Sequence, residues 1–468
     1  MRWMAAICLL ISQISISHAT SLIFPGDIAY RHYLTRLSDH AVLLTPMTSW
    51  PVTVKSLSDA YPTTGTKSDG DWVALNYLGK AAEPQGVSAA IGYANRFPAG
   101  NRFGFPNQPS RFLAVQSYHE RGSLQVGFSL AAEQTASRAE SLRWDGSYMG
   151  VTTGNWFWSI NKIPRWWGPG WGGSLIFSNN VEPIPAISVE RISSRAFQHP
   201  WLHWLGAWQL STGLARLESN RAIPNALLFF ARLVIKPLAD FELGLSRTAQ
   251  WGGAGRPRSA ATFFRMLAGL DNVGDDGTTS ANEPGNQLAG FDIRWRIPYI
   301  NSAFYAQLIG EDEAGGTPFK YLALFGLEWW GRQTPSGSLR VYAEYADTRA
   351  RFGTDRSLGV AYEHSTYSSG YRYRGRSIGH GIDGDAILGT LGVIWVGRKG
   401  SWMELQAGHL QPDMRVPDTR VWQWGLVSRY RVAKNTWSIS CQWTKQIGDS
   451  GQYNTPILTA KWERELSQ

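Results

Sequence analysis

The stretch FDIRWRIP, residues 291–298, alternates strictly between apolar and charged side chains until it reaches a proline. Successive side chains of a β-strand point to opposite faces, so a strand here would have one apolar face and one ionic face. The apolar set is Phe291, Ile293, Trp295 and Ile297, and the charged set is Asp292, Arg294 and Arg296. The stretch therefore predicts a strand that separates an apolar environment from an aqueous one.

The same two-residue period recurs along most of the chain. Roughly 18 to 20 segments of about 8–12 residues show it, which is close to the length that a tilted membrane-spanning strand needs. Four examples are LQVGFSL (124–130), LRVYAEYA (339–346), WSISCQWT (437–444) and LTAKWER (458–464). Repeated amphipathic strands predict an all-β fold, which is either a soluble sandwich or a closed barrel.

Two features favour a membrane barrel over a sandwich. The polar faces of several segments are strongly ionic, as a water-filled lumen allows, and the apolar faces often end in Trp or Tyr, as interface girdles do. The connections also alternate between short and long, and the long ones include GGAGRPRSAA (252–261) and DNVGDDGTTSANEPGN (271–286). We therefore predict a transmembrane antiparallel β-barrel over residues 86–468, with short periplasmic turns and long outer loops.

The composition agrees with a barrel wall. The chain has 468 residues and a net charge of +9, with 13% aromatic residues, 23 Trp and 49 Gly. Only 17% of its residues are charged, against roughly 25% in soluble domains. The most apolar later run, ALLFFARLVI (226–235), is short and contains Arg232, so a helical membrane protein is excluded. A periplasmic or secreted soluble protein remains the alternative to a barrel.

The first 19 residues are predicted to be a cleaved signal peptide. Arg2 gives a positive start, MAAICLLISQISI (4–16) is apolar, and SHA ends at Ala19 with small residues at the spacing used for cleavage. A short membrane anchor is the alternative, but the apolar run is shorter than the roughly 20 residues of a span. Removal would leave a net charge of +8, from +9 less Arg2. It would also remove Cys8 and leave Cys441 without a disulfide partner.

Residues 20–85 break the strand pattern and predict a small helical module. After Asp27, a candidate N-cap, apolar residues recur at helical spacing, and Pro51 is placed just inside a second helix start. The apolar faces are Tyr30, Tyr33, Leu34 and Leu37 in the first helix and Val54, Leu57 and Tyr61 in the second. We expect this module on the periplasmic side, where it would cap or plug the barrel. A flexible leader is the alternative.

The stretch RWWGPGWGGSLIFSNN (165–180) carries candidate glycan contacts. Trp166, Trp167 and Trp171 could stack on sugar rings, although a place in the interface girdles or the barrel wall is the alternative. If the stretch is regular strand, the adjacent pair cannot both face lipid, and Gly168–Gly170 would form a kink that re-aims the rings. Asn179 and Asn180 have amides that suit hydroxyl-rich ligands, but both are also ordinary turn residues.

Arginines form a second set of candidates. Arg247, Arg256 and Arg258 cluster in SRTAQWGGAGRPR (246–258). YRYRGR (371–376) would place its arginines on one strand face, which should be lumenal or in an outer loop because arginine on lipid costs about 2–4 kcal/mol at mid-membrane. These are Arg372, Arg374 and Arg376. Such a row would attract acidic polymers through charge-assisted contacts, whereas pairing with internal Asp and Glu is the alternative.

Catalytic and metal-binding interpretations are weaker. Ser377, His380 and Asp383 lie close in sequence, but proximity is not triad geometry and no nucleophile elbow is present. Four polar residues could bind Ca²⁺, but they lack the EF-hand spacing and its closing Glu, so they predict a solvated outer loop. These four are Asp271, Asn272, Asp275 and Asp276. We therefore expect no enzyme activity, no metal and no cofactor.

Several longer stretches carry a family resemblance. RWWGPGWGGSLIFSNNVEPIP (165–185) resembles the signature of the Wzi-type capsule assembly proteins. Agreement extends to LSDHAVLLTPMTSWPVTVKSL (37–57), ELGLSRTAQWGGAGRPRS (242–259), NEPGNQLAGFDIRWRIP (282–298) and YRYRGRSIGHGIDGDA (371–386). The resemblance implies an outer-membrane barrel of about 18 strands preceded by a helical bundle, in the range of such barrels. Many such barrels end on an aromatic residue, whereas this chain ends WERELSQ, with Trp462 a few residues earlier.

The resemblance also implies a lectin-like function, namely holding capsular or exopolysaccharide at the cell surface. The positive net charge favours an anionic partner, either an acidic polysaccharide or lipopolysaccharide phosphate. We expect a monomer surrounded by outer-membrane lipid, with no nucleic acid bound. Two alternatives stay open, a polysaccharide-conducting channel on the same fold and a surface enzyme that hydrolyses glycan or lipid.

Overall fold

The fold is taken from a computed structural model of the chain. It describes residues 22–59, 68–81, 86–95, 102–104, 111–135, 138–268, 285–314, 317–352, 358–412, 419–448 and 451–466. The predicted signal peptide and the acidic stretch 271–276 lie outside these residues.

All described strands longer than two residues form one closed antiparallel barrel, as predicted. It closes where Gly451–Glu465 pairs with Ser88–Ala94. Nineteen strand segments form the wall, but Arg138–Arg143 and Tyr148–Thr153 both pair with Leu124–Thr135 as halves of one interrupted strand, so the barrel has 18 strands. The remaining wall strands are Arg111–Arg121, Trp156–Asn161, Ala186–Arg191, Ala207–Arg216, Leu227–Leu238, Phe241–Trp251, Gly285–Ile297, Ser302–Ala314, Thr317–Trp330, Ser338–Phe352, Ile387–Val396, Trp402–Gln411, Arg420–Val432 and Asn435–Gly448.

The alternation seen in the sequence is the alternation between lipid and lumen. Trp295 is 51% exposed on the outer face, whereas its neighbour Arg294 is 7% exposed inside. The same holds at Leu339 and Tyr345 outside and Tyr342 inside. An outer apolar face next to a polar inner face is the arrangement that lipid outside and polar groups inside require.

The two ends of the barrel differ in their connections. One end, here called the short-turn end, has tight turns such as Gly122–Ser123 and Ala239–Asp240, and it also holds the first and last residues of the wall. The opposite long-loop end carries the connections 162–185 and 217–226 and the described loop 358–386. Connection 192–206 is the long exception at the short-turn end. In outer-membrane barrels the short turns face the periplasm and the long loops face outward.

The structure contains four described α-helices. They are α1 (Ile28–Asp39), α2 (Val54–Asp59), α3 (Asp69–Ala81) and α4 (Ala260–Leu267), with a short 3₁₀ helix at His203–Leu205. Asp27 caps α1 as predicted, because its carboxylate accepts from the Tyr30 backbone N–H at 3.0 Å. The second start was placed too early, since Pro51 lies in a bend between the short strands Ser49–Trp50 and Val52–Thr53 and α2 begins after them. Every described helix falls short of the length and apolarity that crossing a membrane requires.

The N-terminal insert, residues 22–59, lies inside the barrel. All residues of α1 are buried, and the helix contacts inward-facing wall side chains close to the short-turn end. The tryptophan loop, residues 162–185, enters the lumen from the long-loop end and pairs with the insert through Trp166–Trp167 and Ser49–Trp50. Together the two segments form much of the largest apolar core of the molecule.

Candidate functional site

The three tryptophans of the tryptophan loop point into the lumen. Trp166 and Trp167 form a two-residue strand against Ser49–Trp50, and Trp166, Trp167 and Trp171 are each 2% exposed or less. They lie neither in the wall nor in an interface girdle, so the alternative that placed them there is wrong. Adjacent residues of a wall strand face lipid and lumen in turn, whereas Trp166 and Trp167 belong to a small sheet inside the barrel.

The ring faces of the tryptophans are occupied by protein groups. The Arg31 guanidinium lies 4.0 Å from the centre of the Trp171 ring, and Tyr342 stacks against the same ring at 6.2 Å. The Trp171 indole N–H donates to Glu328 Oε2 at 2.9 Å. Trp167 packs edge-on to Phe177, with ring centres 4.8 Å apart. In this structure these contacts fill the positions that a stacked sugar would need.

The Gly-Pro-Gly segment forms the predicted kink. Gly168 has a φ of +145°, which a residue with a Cβ adopts only with strain. The kink turns two carbonyls toward α1, where Arg31 donates to Pro169 O at 2.5 Å and to Gly170 O at 2.7 Å. The segment therefore connects the tryptophan loop to the N-terminal insert.

Asn179 and Asn180 lie in a turn, as one alternative held, and both are buried. The Asn179 amide donates to the carbonyls of Arg102 and Phe103, at 3.3 and 2.9 Å. The Asn180 amide donates to Ser377 O at 2.9 Å. Each asparagine therefore joins the tryptophan loop to a different outer loop.

The stretch YRYRGR is a hairpin and not a strand, so the predicted arginine row is wrong. Arg374 and Gly375 both have positive φ, 51° and 78°, and the chain reverses between Arg372–Tyr373 and Arg376–Ser377. Two consecutive residues of positive φ are typical of a type I′ turn. The arginines therefore diverge instead of sharing a face.

The arginines of this hairpin have nearby partners. Arg372 pairs with Glu363 at 2.6 Å and with Asp383 at 2.9 Å. Burial acts to lower the pKa of the Arg372 guanidinium, but these two carboxylates hold that pKa above its usual range. Arg374 pairs with Glu182 at 2.8 Å, and Arg376 donates to Asn180 Oδ1 at 2.8 Å. Internal pairing, the alternative to polymer binding, is thus present.

Arg247, a candidate glycan contact, lies on the outer face of the wall strand Phe241–Trp251. Helix α4 covers it, because the guanidinium donates to the carbonyls of Leu267 and Met266 at 2.7 and 3.0 Å. These are last-turn carbonyls, which favour a cation. The helix packs on the outer wall through Met266 against Ala249 and Trp251. Covering by the helix removes the cost of arginine on lipid.

Arg256 and Arg258 occupy the segment between the wall strand Phe241–Trp251 and α4, at the long-loop end. Arg258 is exposed and Arg256 is half-buried. The Arg256 guanidinium lies 5.9 Å from the centre of the Tyr367 ring. Arg256 therefore lies beside the loop 358–386.

The Ser377, His380 and Asp383 side chains do not form a triad. The Ser377 hydroxyl has no hydrogen-bond partner among the described residues, and the Asp383 carboxylate pairs with Arg372. His380 is buried, which lowers its pKa to about 4, and its Nδ1 accepts from the Ile382 backbone N–H at 3.2 Å. Nor does the described part of the chain bring together three or more His, Cys, Asp or Glu side chains that could hold a metal ion.

A buried ionic network clamps α1 to the wall. Arg294 donates to both oxygens of Asp39, at 2.6 and 3.0 Å, and also pairs with Glu328 at 2.6 Å. Arg340 pairs with Glu328 at 2.5 Å and donates to His32 Nδ1 at 3.3 Å. Burial lowers the pKa of His32 well below its usual range, and the positive charges of Arg340 and Arg36 lower it further. The ring is therefore neutral. The ionic lumenal faces of the strands thus meet protein and not only water.

Two cavities lie along one side of the lumen. The long-loop cavity, about 80 Å³, lies between the loop 380–382 and inward-facing residues such as Gln423 and Gln442. The short-turn cavity, about 290 Å³, is lined by Asp27, Arg429 and neighbouring groups. Arg102 lines the first and Gly104 lines the second. These glutamines belong to no motif of the sequence, and the only signal for Gln442 is its place on the polar face of WSISCQWT (437–444).

Comparison with known proteins gives one family. The profile of the capsule assembly protein Wzi matches residues 88–455. An uncharacterised 55.8 kDa protein in the cps region of Klebsiella pneumoniae is 31% identical over 335 residues, which are 69% of this chain. The matched part spans 65% of the length of that curated relative.

One solved structure has the same fold along almost the whole chain. It is Wzi of Escherichia coli, described as an outer membrane protein involved in group 1 capsule assembly and a carbohydrate binding β-barrel. The TM-score is 0.84 at 24% identity, with 96% of this chain and all of that chain covered. At this identity the likeness establishes the barrel architecture.

Proposed function

Since the chain belongs to the Wzi family of capsule assembly proteins, we propose that it is a lectin-like outer-membrane protein that retains capsular or extracellular polysaccharide at the cell surface. The polymer would bind at the long-loop end, the N-terminal module would brace the periplasmic end, and the protein would act as a monomer without catalysis. The protein would sit in outer-membrane lipid, and lipopolysaccharide phosphate would be a second anionic partner.

The observation that carries this proposal is the occupied lumen. The tryptophan loop and the N-terminal insert meet inside the barrel, and buried ion pairs hold the insert to the wall. Tyr362 and Tyr371 tie the outer loop 358–386 to the tryptophan loop, since their hydroxyls donate to the carbonyls of Leu175 and Ile176 at 2.8 Å each. A barrel that fixes its loops in this way supports a rigid binding surface.

The half-buried and exposed arginines of the long-loop end supply chemistry for an acidic polymer. We propose that Arg256, Arg258, Arg374 and Arg376 contact carboxylates of the polysaccharide, with bidentate geometry where a carboxylate approaches. The tryptophans and asparagines of the tryptophan loop would hold this surface in shape. Many weak contacts along one polymer give firm retention by avidity.

The test is binding of purified protein to polysaccharide from its own strain, measured in solution and on cells. We expect binding that weakens with added salt, because these arginines are solvent-accessible and salt screens their charges. A strain that lacks the protein should shed polymer into the medium. Equal amounts of cell-attached polymer with and without the protein would overturn the proposal.

Conduction of polysaccharide is a second candidate, favoured by one observation. The two cavities follow the same strands, Arg420–Val432 and Asn435–Gly448, and the segment 102–104 stands between them. Planar-bilayer recording separates the functions. A steady ion current through the wild-type protein would support a channel, whereas a silent bilayer supports a surface that only binds.

A further inference from the structure

The long-loop cavity has the composition of a carbohydrate site. Three adjacent wall strands, Trp402–Gln411, Arg420–Val432 and Asn435–Gly448, turn amide side chains and one hydroxyl into it. The loop 380–382 and Gly172 form the opposite side. The polar lining groups of the wall are Gln406, Gln423, Gln442 and Thr444.

One of these amides is buried without a partner. Gln442 is 6% exposed, and its Nε2 has no hydrogen bond to any group that the structure describes. Buried polar groups nearly always have a hydrogen-bond partner, so an unpaired amide donor beside a cavity points to a ligand that accepts from it.

The charge in the cavity is already balanced. Arg102 lines it, but its guanidinium pairs with Glu404 at 3.3 Å. His380 is neutral at physiological pH, and because its Nδ1 accepts from Ile382 the proton is assigned to Nε2. Leu388 adds an apolar patch. The lining therefore suits an uncharged ligand with several hydroxyls and apolar C–H groups.

The size limits the ligand to a small unit. A cavity of about 80 Å³ holds roughly six water molecules at about 10–15 Å³ each, which is about the bulk of one sugar residue. Primary amides both donate and accept, as adjacent hydroxyls do.

We propose that this cavity binds one neutral, hydroxyl-rich sugar residue of the polysaccharide, at a chain end or on a side branch. The proposal rests on the proposed polysaccharide binding and names a subsite for it, distinct from the arginines of the outer loops. The subsite would select a particular sugar, whereas the arginines select charge.

The test uses the full-length protein purified in detergent. The probes are the strain's intact polysaccharide and neutral oligosaccharides from its partial acid hydrolysis, titrated by calorimetry. Gln442→Leu and Gln423→Leu each remove an amide at similar volume, so we expect about fivefold weaker oligosaccharide binding for each and about 25-fold for the pair. Gln116→Leu, in the short-turn cavity, is the matched control and should bind as wild type.

Stability separates a ligand contact from a structural role. Because the Gln442 Nε2 makes no hydrogen bond within the described protein, Gln442→Leu should melt no lower than wild type. A lower melting temperature together with unchanged oligosaccharide affinity would overturn the subsite. If the double variant binds the oligosaccharides as tightly as wild type and still binds intact polymer, the subsite is wrong but the proposed function stands. Absence of polymer binding by wild type would overturn the proposed function itself.

Discussion

Replacing Arg294 by methionine tests how the N-terminal insert is held. Both oxygens of Asp39, on the last turn of α1, accept from Arg294. Glu328, the other partner, keeps its pair with Arg340 at 2.5 Å. The substitution Arg294→Met therefore leaves chiefly one buried carboxylate without its cation, and that carboxylate belongs to the helix.

The magnitude follows from burial. The side chains of Arg294 and Asp39 are 7% and 1% exposed, and breaking a buried pair by removing one partner costs about 3–5 kcal/mol. If that cost falls on the docked state of α1, the opening equilibrium of the helix rises by roughly two to four orders of magnitude. Adding Asp39→Asn removes the orphaned charge and should restore most of the loss.

Hydrogen exchange of the α1 amides measures this opening in the folded barrel. We expect Arg294→Met to lower their protection by at least about 100-fold, with wall strands unchanged. The control is Arg296→Met on the same strand, whose pair with Asp240 is 24% and 34% exposed, so the expected loss is at most about 1 kcal/mol. Equal protection of α1 in the two variants would refute the clamp.

Three other perturbations have defined outcomes. Trp171→Ala should lower the free energy of unfolding in urea by about 3–5 kcal/mol, because the ring packs against Arg31 and Tyr342; a loss below about 1 kcal/mol would contradict that packing. Cys441 faces outward among exposed apolar residues, so a charged maleimide should label it only after denaturation of the liposome-reconstituted protein, and rapid native labelling would contradict this. Burial lowers the pKa of His380 to about 4 from 6.5. Between pH 4 and 6.5 the unfolded state therefore binds more protons than the folded state does. The free energy of unfolding should then fall by about 3 kcal/mol as pH drops from 6.5 to 4, and a His380→Gln variant with the same pH dependence would contradict this origin.

The wall of the barrel was predictable because its signal is local. FDIRWRIP places Trp295 outside and Arg294 inside by the geometry of a single strand, and no knowledge of the partner strands is needed. The N-cap at Asp27 was predictable for the same reason. The strand count also followed closely, since each strand carries its own period.

The site was less predictable because it depends on contacts between distant segments. The tryptophan pair at 166–167 meets Ser49–Trp50, more than a hundred residues earlier, and no local pattern specifies that pairing. In YRYRGR the alternation suggested a strand, but Arg374 and Gly375 adopt positive φ and reverse the chain. The alternation predicts that the lumenal arginines face inward. It does not predict whether they contact water, polymer or α1.

The covering of Arg247 by α4 has a consequence for membrane insertion. The strands Phe241–Trp251 and Gly285–Ile297 are paired along their length, and the segment between them contains the helix. If this pair entered the bilayer with α4 undocked, the guanidinium would meet lipid without its Met266 and Leu267 carbonyls. Docking of α4 on the strand pair before or during entry avoids the free-energy cost of exposing arginine to lipid. The two strands and their helix would then insert as one unit during barrel assembly.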